Sequence, residues 1–177
     1  MRLRAFIFLV FLFIGMKASA APIISIGTGM LFERGSDGRT VEARTPFSIA
    51  GGYRFQEVDV FLEYSMFRAG DGEGDIAVDR ERHEVVLWGR HFFFPRLNVN
   101  PFIGLGAGFQ YERVELAFGQ EVSREAGEPT AVYGAITGIR FPFTRHFEFL
   151  LEGRVAVAAR YSSEAAWSLG AAAGINF

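Results

Sequence analysis

The sequence predicts an all-β fold, an eight-stranded antiparallel up-and-down transmembrane β-barrel, and three observations carry that prediction. After residue 20 no apolar run approaches the ~20 residues a spanning helix needs, although 50% of the chain is hydrophobic. Any crossing of a membrane must therefore be made by strands. Eight segments alternate apolar with small or polar residues, the period of a strand with two unlike faces. Their connections are long and short in turn, the rhythm of a barrel with one short-loop end and one long-loop end.

The first twenty residues stand apart from the fold. Arg2 and Arg4 form a positive start, Ala5 to Met16 is a short apolar run, and Ala18-Ser19-Ala20 is an A-x-A cleavage site. This is the pattern of a cleaved secretory signal peptide over 1–20, and the run is too short for a spanning anchor. The expected mature domain is 21–177, and loss of Arg2, Arg4 and Lys17 takes the formal net charge from −2 to −5. That balance offers no basic patch for nucleic acid.

The first strand runs from Ile24 to about Glu33, with Ile24, Ile26, Met30 and Phe32 on one face and Ser25, Gly27, Gly29 and Glu33 on the other. Gly35 to Arg39 reads as a loop. The second strand, about Arg44 to Phe55, sets Phe47, Ile49, Tyr53 and Phe55 against Ser48, Ala50, Gly52 and Arg54, and Gln56-Glu57 leaves room only for a tight turn. The third, Val58 to Arg68, sets Val58, Val60, Leu62, Tyr64 and Met66 against Asp59, Glu63 and Ser65, while Phe61 and Phe67 interrupt the polar face. Gly70 to Asp75 reads as a flexible acidic loop.

The fourth strand, Arg80 to Phe93, opposes Val85, Leu87 and Phe93 to Arg82, Glu84 and Arg90; Pro95 to Asn100 connects it to the fifth. That strand, Phe102 to Arg113, alternates Ile103, Leu105, Ala107, Phe109 and Tyr111 with Gly104, Gly106, Gly108, Gln110 and Glu112. Glycines weaken a strand but suit a crowded barrel interior. The longest connection spans Val114 to Pro129. The sixth strand, Thr130 to Phe141, places Gly134, Ile136, Gly138 and Arg140 inward, and Pro142 to Arg145 turns into the seventh. His146 to Arg160 then sets Phe147, Phe149, Leu151, Val155 and Val157 against Glu148, Glu152 and Arg154. The closing strand, Trp167 to Phe177, has apolar odd positions and small or polar even ones. Tyr53, Phe55, Phe92, Phe93, Phe94, Phe141, Phe143 and Phe147 gather near the proposed turns, as an interfacial aromatic girdle would.

Two absences sharpen the picture. With no cysteine in the chain there is no disulfide and no thiolate metal site. Lys17 is the only lysine, so every basic group of the expected mature chain is Arg. Exposed Lys is the usual guard of soluble β surfaces, whereas Arg suits bidentate pairing in a confined space; genomic base composition is an alternative cause.

The signal-like start, the eight alternations and the terminal Phe177 together resemble the small eight-stranded outer-membrane barrels of the OmpA/OmpX/opacity-protein type. Pro101-Phe102-Ile103-Gly104-Leu105-Gly106-Ala107-Gly108, Phe149-Leu150-Leu151-Glu152-Gly153-Arg154 and Gly174-Ile175-Asn176-Phe177 carry the similarity, which spans the expected mature sequence. The resemblance implies residence in the outer membrane of a Gram-negative-type bacterium, among outer-membrane lipid and lipopolysaccharide, as a monomer. It also implies recognition of Ile175 and Phe177 by the barrel-assembly machinery; the family usually has Gly five residues before the last aromatic, where this chain has Ala172. A soluble lipocalin-like barrel shares the alternation inside out. The mixed charges and glycines of one face, without Lys, favour the membrane form.

The candidate site is that charged face: Glu63, Arg82, Glu84, Arg90, Glu112, Arg140, Glu148, Glu152 and Arg154. Eight strands enclose a space only just wide enough for side chains, so mutual pairing that plugs the lumen is the favoured reading, and a small selective pore the alternative. A lipid A-modifying enzyme is a further alternative, resting on His83, His91 and His146; none sits in a local motif with serine, and no catalytic role, metal or cofactor is expected. Asp71 to Asp75 lacks EF-hand spacing and reads as a solvated loop rather than a Ca²⁺ site. Val114, Leu116 and Phe118 continue an alternation past the membrane edge and are candidates for contact with an extracellular ligand, or simply for stabilising a projecting hairpin. The expected role is structural or in surface interaction through the outer loops.

Overall fold

The computed structural model describes residues 20–34, 40–43, 46–73, 76–118, 121–159 and 165–177. Positions 1–19 of the expected signal peptide, the loop at 35–39 and the connection at 160–164 lie outside the described residues. Ten strands are present among those described: β1 (Ala21–Arg34), β2 (Thr40–Ala43), β3 (Phe47–Phe55), β4 (Val58–Glu73), β5 (Ile76–Phe92), β6 (Asn100–Phe118), β7 (Glu121–Ala126), β8 (Thr130–Pro142), β9 (Phe147–Ala158) and β10 (Ala165–Asn176).

Hydrogen-bonded neighbours follow the order β10-β9-β8-β6-β5-β4-β3-β1, all antiparallel. β1 then pairs with β10, from Ile23 opposite Asn176 to Glu33 opposite Ala166. Eight strands are thereby closed into a barrel, which removes the free edges an open sheet would expose. β2 pairs with the far end of β1, and β7 with the far end of β6. The two-residue turn between β3 and β4 has Gln56 in the left-handed region at φ 47°, the backbone sign that two-residue hairpins favour.

Alternation sorts the faces as the pleat demands. Ile24, Ile26, Ile49, Leu62, Leu87, Leu105, Phe109, Leu151 and Leu169 point away from the barrel and are exposed. Their cross-strand and in-strand neighbours of opposite parity, among them Glu63, Trp88, Arg90, Arg140, Leu150 and Glu152, are buried inside. A surface this apolar is stable only against lipid.

The strands run further than their local composition suggests. The acidic stretch expected as a flexible loop is mostly strand: β4 continues to Glu73 and β5 begins at Ile76, with Gly70 opposite Asp79 and Gly72 opposite Ala77. Positions 74–75 lie outside the described residues. Pairing supplied by the neighbouring strand satisfies these backbone groups whatever their side chains, and β-branched Ile76 and Val78 favour it. Likewise Val114 to Phe118 extends β6, and Glu121 to Ala126 returns as β7 where a single long connection was expected. Gln110 faces Thr130 but Arg113 faces Ala126, so the returning chain holds one extra residue there. This is a β-bulge, with the Gly127 N–H donating to the Glu112 carbonyl at 2.8 Å.

One aromatic changes place. Phe92, expected in the interfacial girdle, is fully buried in the lumen, because it shares the inward parity of Trp88 and Arg90 rather than that of Phe93. Tyr53, Phe93, Phe94, Phe143 and Phe147 remain on the outside near the short turns.

Leu105, 72% exposed on the outer face, reports on that surface. Leu105→Arg should cost roughly 2–4 kcal/mol in a lipid bilayer if it lies near the midplane, read from reversible denaturant unfolding in liposomes; an unchanged midpoint would place Leu105 away from the hydrocarbon.

Candidate functional site

Every inward position on these strands looks into one narrow space, and side chains fill it in layers. At the short-turn end β3 contributes Arg54, β4 Asp59, β5 Arg90, β9 Glu148 and β10 Asn176. Arg54 Nε and Nη2 donate to the two Asp59 carboxylate oxygens at 2.7 and 2.8 Å. Its Nη1 and Nη2 donate to the two Glu148 oxygens at 2.7 and 3.0 Å, and Nη1 also reaches Asn176 Oδ1 at 3.0 Å. Arg90 Nε and Nη2 donate to Asp59 Oδ2 at 3.0 and 2.9 Å. Asn176 Nδ2 donates to Glu148 Oε2 at 3.1 Å. Planar guanidinium forks suit this geometry; a lysine ammonium could not offer a planar pair of N–H groups to each of two carboxylates.

Aromatic rings form the next layer. Phe92 and Phe102 meet edge to face with centroids 5.5 Å apart. The Arg90 guanidinium lies 4.6 Å from the Phe61 ring centre, and that of Arg140 lies 4.4 Å from the Phe92 ring centre. These cations face the negative side of desolvated rings, where the attraction is stronger than at a surface. Trp88 crosses the lumen against glycine: a Cβ on Gly134 would come within 2.9 Å of its ring, and one on Gly106 closer still. Gly106 of β6 and Gly134 of β8 are therefore the complement of one large side chain on β5.

Beyond Trp88 the Arg154 guanidinium pairs with Glu63 and Glu152, Nη2 reaching Glu63 Oε2 at 2.8 Å. The Ser65 hydroxyl donates to Glu63 Oε1 at 2.8 Å. Two cavities of about 30 Å³ each adjoin this cluster, sharing Ser65, Phe67, Arg154 and Ser168 in their walls, each large enough to admit water. Further toward the long-hairpin end Arg82 and Glu112 approach to 4.0 Å.

All nine residues expected on the charged face, Glu63, Arg82, Glu84, Arg90, Glu112, Arg140, Glu148, Glu152 and Arg154, have the inward parity. Glu63, Glu152 and Arg154 meet on one side of the aromatic layer, Arg90, Arg140 and Glu148 lie on the other, and Arg82 approaches Glu112 further along. Outside that set stand Arg54, Asp59 and Asn176, which pair with its members, and Asn100 and Trp88, which are buried among them. Arg54 and Asp59 share the inward parity of their strands, and Trp88 stands between Arg82, Glu84 and Arg90 at the same period while Gly106 lies opposite it. That match of one large residue to a facing glycine was the available signal.

Among the contact candidates, Val114 is half-buried and lies on the inward side of β6 with Glu112; the side chains of Leu116 and Phe118 lie outside the described residues. Ile175 and Phe177 are exposed on the outer face, and the Phe177 N–H donates to the Pro22 carbonyl at 3.1 Å. The histidines are peripheral. His83 Nδ1 is 2.7 Å from the Tyr64 hydroxyl, His91 lies edge-on to Phe93, and His146 Nδ1 is 3.0 Å from the Asn176 carbonyl. Among the described residues no cluster of three or more histidines and carboxylates is arranged to hold a metal ion.

A closed eight-stranded barrel, apolar outside and packed with paired charges inside, belongs to the architectural class of small membrane-spanning β-barrels. No family model and no curated protein matches the chain. Solved structures do: the chain is similar to Neisserial surface protein A (16% identity, TM-score 0.70, covering 90% of this chain and 99% of that one). It is also similar to Ail, the attachment invasion locus protein of Yersinia pestis (19% identity, TM-score 0.64, covering 89% and 99%). A major outer membrane protein of Thermus thermophilus matches at 9% identity, with a TM-score of 0.63 and coverage of 89% and 100%. At these identities what is shared is the fold, that of small outer-membrane barrels.

The pairing makes a quantitative contrast. Arg154→Met leaves Glu63 and Glu152 buried without their cation and should destabilise the barrel by about 3–5 kcal/mol. Arg68→Met, which removes an exposed pair with Asp79, should leave the unfolding midpoint at the wild-type value.

Proposed function

We propose that this chain is an outer-membrane protein of a Gram-negative-type bacterium, exported through a cleaved signal peptide, whose plugged lumen makes it a non-conducting scaffold for outer hairpins that make surface contacts. One observation carries the reading: the interior is occupied by protein at successive levels. Phe92, Phe102, Ile136 and Leu150 are at most 1% exposed, and on either side of them Arg54, Arg90 and Arg154 give N–H groups to the carboxylates of Asp59, Glu148, Glu63 and Glu152. An aqueous path would need those groups turned toward water.

In this reading the short turns face the periplasm, the extended β4–β5 and β6–β7 hairpins face outward, and lipid and lipopolysaccharide surround the barrel. Ile175 and Phe177 serve as the signal for the barrel-assembly machinery, and the protein acts as a monomer without catalysis or cofactor. The hairpins supply the contact function because they are the parts that extend past the lipid-facing band. Among its structural neighbours, Ail is an attachment invasion locus protein solved with the heparin analogue sucrose octasulfate, which supports contact, rather than transport, as a use of this fold.

Purified protein in a planar bilayer should give no discrete conductance steps across voltage; reproducible steps would make the lumen a pore and its Arg and Glu residues the selectivity elements. Lipid A from cells with and without the protein should give identical mass spectra. A lost acyl chain or headgroup group would establish the enzyme instead.

A further inference from the structure

Inside the barrel the glycines are accounted for by what they face: a Cβ on Gly104, Gly108 or Gly138 would collide with the backbone of the neighbouring strand. Gly153 is different. It lies on the outer face of β9, opposite Thr137 of β8 and Leu169 of β10, and a Cβ there would meet Leu169 Cδ2 at 3.6 Å, an ordinary contact. The packing of the barrel itself does not require glycine at this position, and glycine weakens a strand. A strand glycine with no such requirement marks a place where something else approaches the backbone closely.

Gly153 lies in the floor of a recess of about 480 Å³ on that outer face. Ala135 and Thr137 continue the floor, and the Thr137 hydroxyl donates to the Phe102 carbonyl at 3.1 Å, which leaves its methyl group for the recess. Trp167 and Leu169, 59% and 64% exposed, stand along one side, and Ile103, 51% exposed, stands at the other. The recess runs obliquely to the barrel axis. Cross-strand partners lead from Trp167 to Val155, Ala135, Leu105 and Gly89, so a row that begins near the long-hairpin end of β10 arrives near the short-turn end of β5. The surroundings define the occupant, because this apolar face meets lipid hydrocarbon. A trough with tall side chains on both sides admits a linear chain, whereas the convex face of a second barrel would rest on the walls. Its limit at Phe32 and Trp167, cross-strand partners at the long-hairpin end, sets the leaflet from which the chain comes.

We propose that this recess binds one fatty acyl chain of a lipopolysaccharide molecule, which enters from the long-hairpin end past Trp167 and lies across Gly153. The choice of lipopolysaccharide rests on the reading above that the long hairpins face outward; the seat for an acyl chain does not.

The test titrates the whole folded barrel in detergent with lipid A and, separately, with phosphatidylglycerol, and counts retained lipid by native mass spectrometry. Wild type should retain a single lipid A. Gly153→Leu fills the floor and should weaken that retention about tenfold, the equivalent of losing contact with about two methylene groups. Gly51→Leu is the matched control, because Gly51 lies on the outer face of β3 with nothing within 4 Å of its Cβ, and it should retain lipid A as wild type does. A measurement without substitution uses lipid A with brominated chains, which should quench the emission of Trp167 saturably while Trp88, buried in the lumen, stays emissive. Equal retention by wild type and Gly153→Leu, an equal loss in Gly51→Leu, or an unquenched Trp167 would each overturn the site. Phosphatidylglycerol held as tightly as lipid A would overturn the lipopolysaccharide source, and a dimer abolished by Gly153→Leu would put a second copy in the recess instead. Conductance and hairpin contacts, which test the scaffold reading, are read separately from all of these.

Discussion

Arg54 is the interaction on which the closed barrel most depends. From β3 it clamps Asp59 of β4 on one side, and on the other it reaches past β1 to Glu148 of β9 and Asn176 of β10. One guanidinium thus fastens strands from both sides of the seam where the first and last strands meet. The reason such a clamp is needed is spatial. An eight-stranded barrel has an interior only wide enough for side chains, so charged groups placed there must be solvated by each other. Asp59 is 0% exposed, and its charge is tolerable because four guanidinium N–H groups from Arg54 and Arg90 point at it.

The same narrowness explains the glycines. Phe61, Trp88, Phe92 and Phe102 project from β4, β5 and β6, and a lumen of this size accepts such rings only where the facing strands bring backbone alone. Trp88 over Gly106 and Gly134, and Phe102 against Gly138, are instances. Charge pairs and ring–glycine contacts alternate along the axis, so each layer shields the pairs of the next from water and strengthens them.

Much of this was legible in the sequence because a strand writes its two faces with period two. The eight barrel strands, their order and the inward side of Glu63, Arg90, Glu148 and Arg154 all follow from that local pattern. Strand ends did not. Gly70 to Glu73 looks like a loop on composition, and only the partner strand, which local reading does not contain, makes it β. Phe92 lies close to a turn, where aromatics usually form the girdle, but its parity with Trp88 and Arg90 turns it inward. Arg54 and Asp59 lie on the polar faces the sequence defines but outside the expected charged set, as does Trp88, for a different reason: which inward residues touch depends on register across strands far apart in sequence, and Arg54 with Asn176 is a separation of 122 residues.

The seam between β1 and β10 also bears on how the chain reaches this state. The pairs from Ile23 opposite Asn176 to Glu33 opposite Ala166 join the two ends of the folded domain, whereas most other neighbours are joined by local hairpins. Hairpin contacts close small loops; the seam closes nearly the whole chain and gains nothing until the ends meet. Zipping the consecutive hairpins first and joining the ends last is the order that loop-closure entropy favours. Until that final event the outward apolar faces of β1 and β10 carry an unpaired backbone edge, the species most exposed to association with other chains.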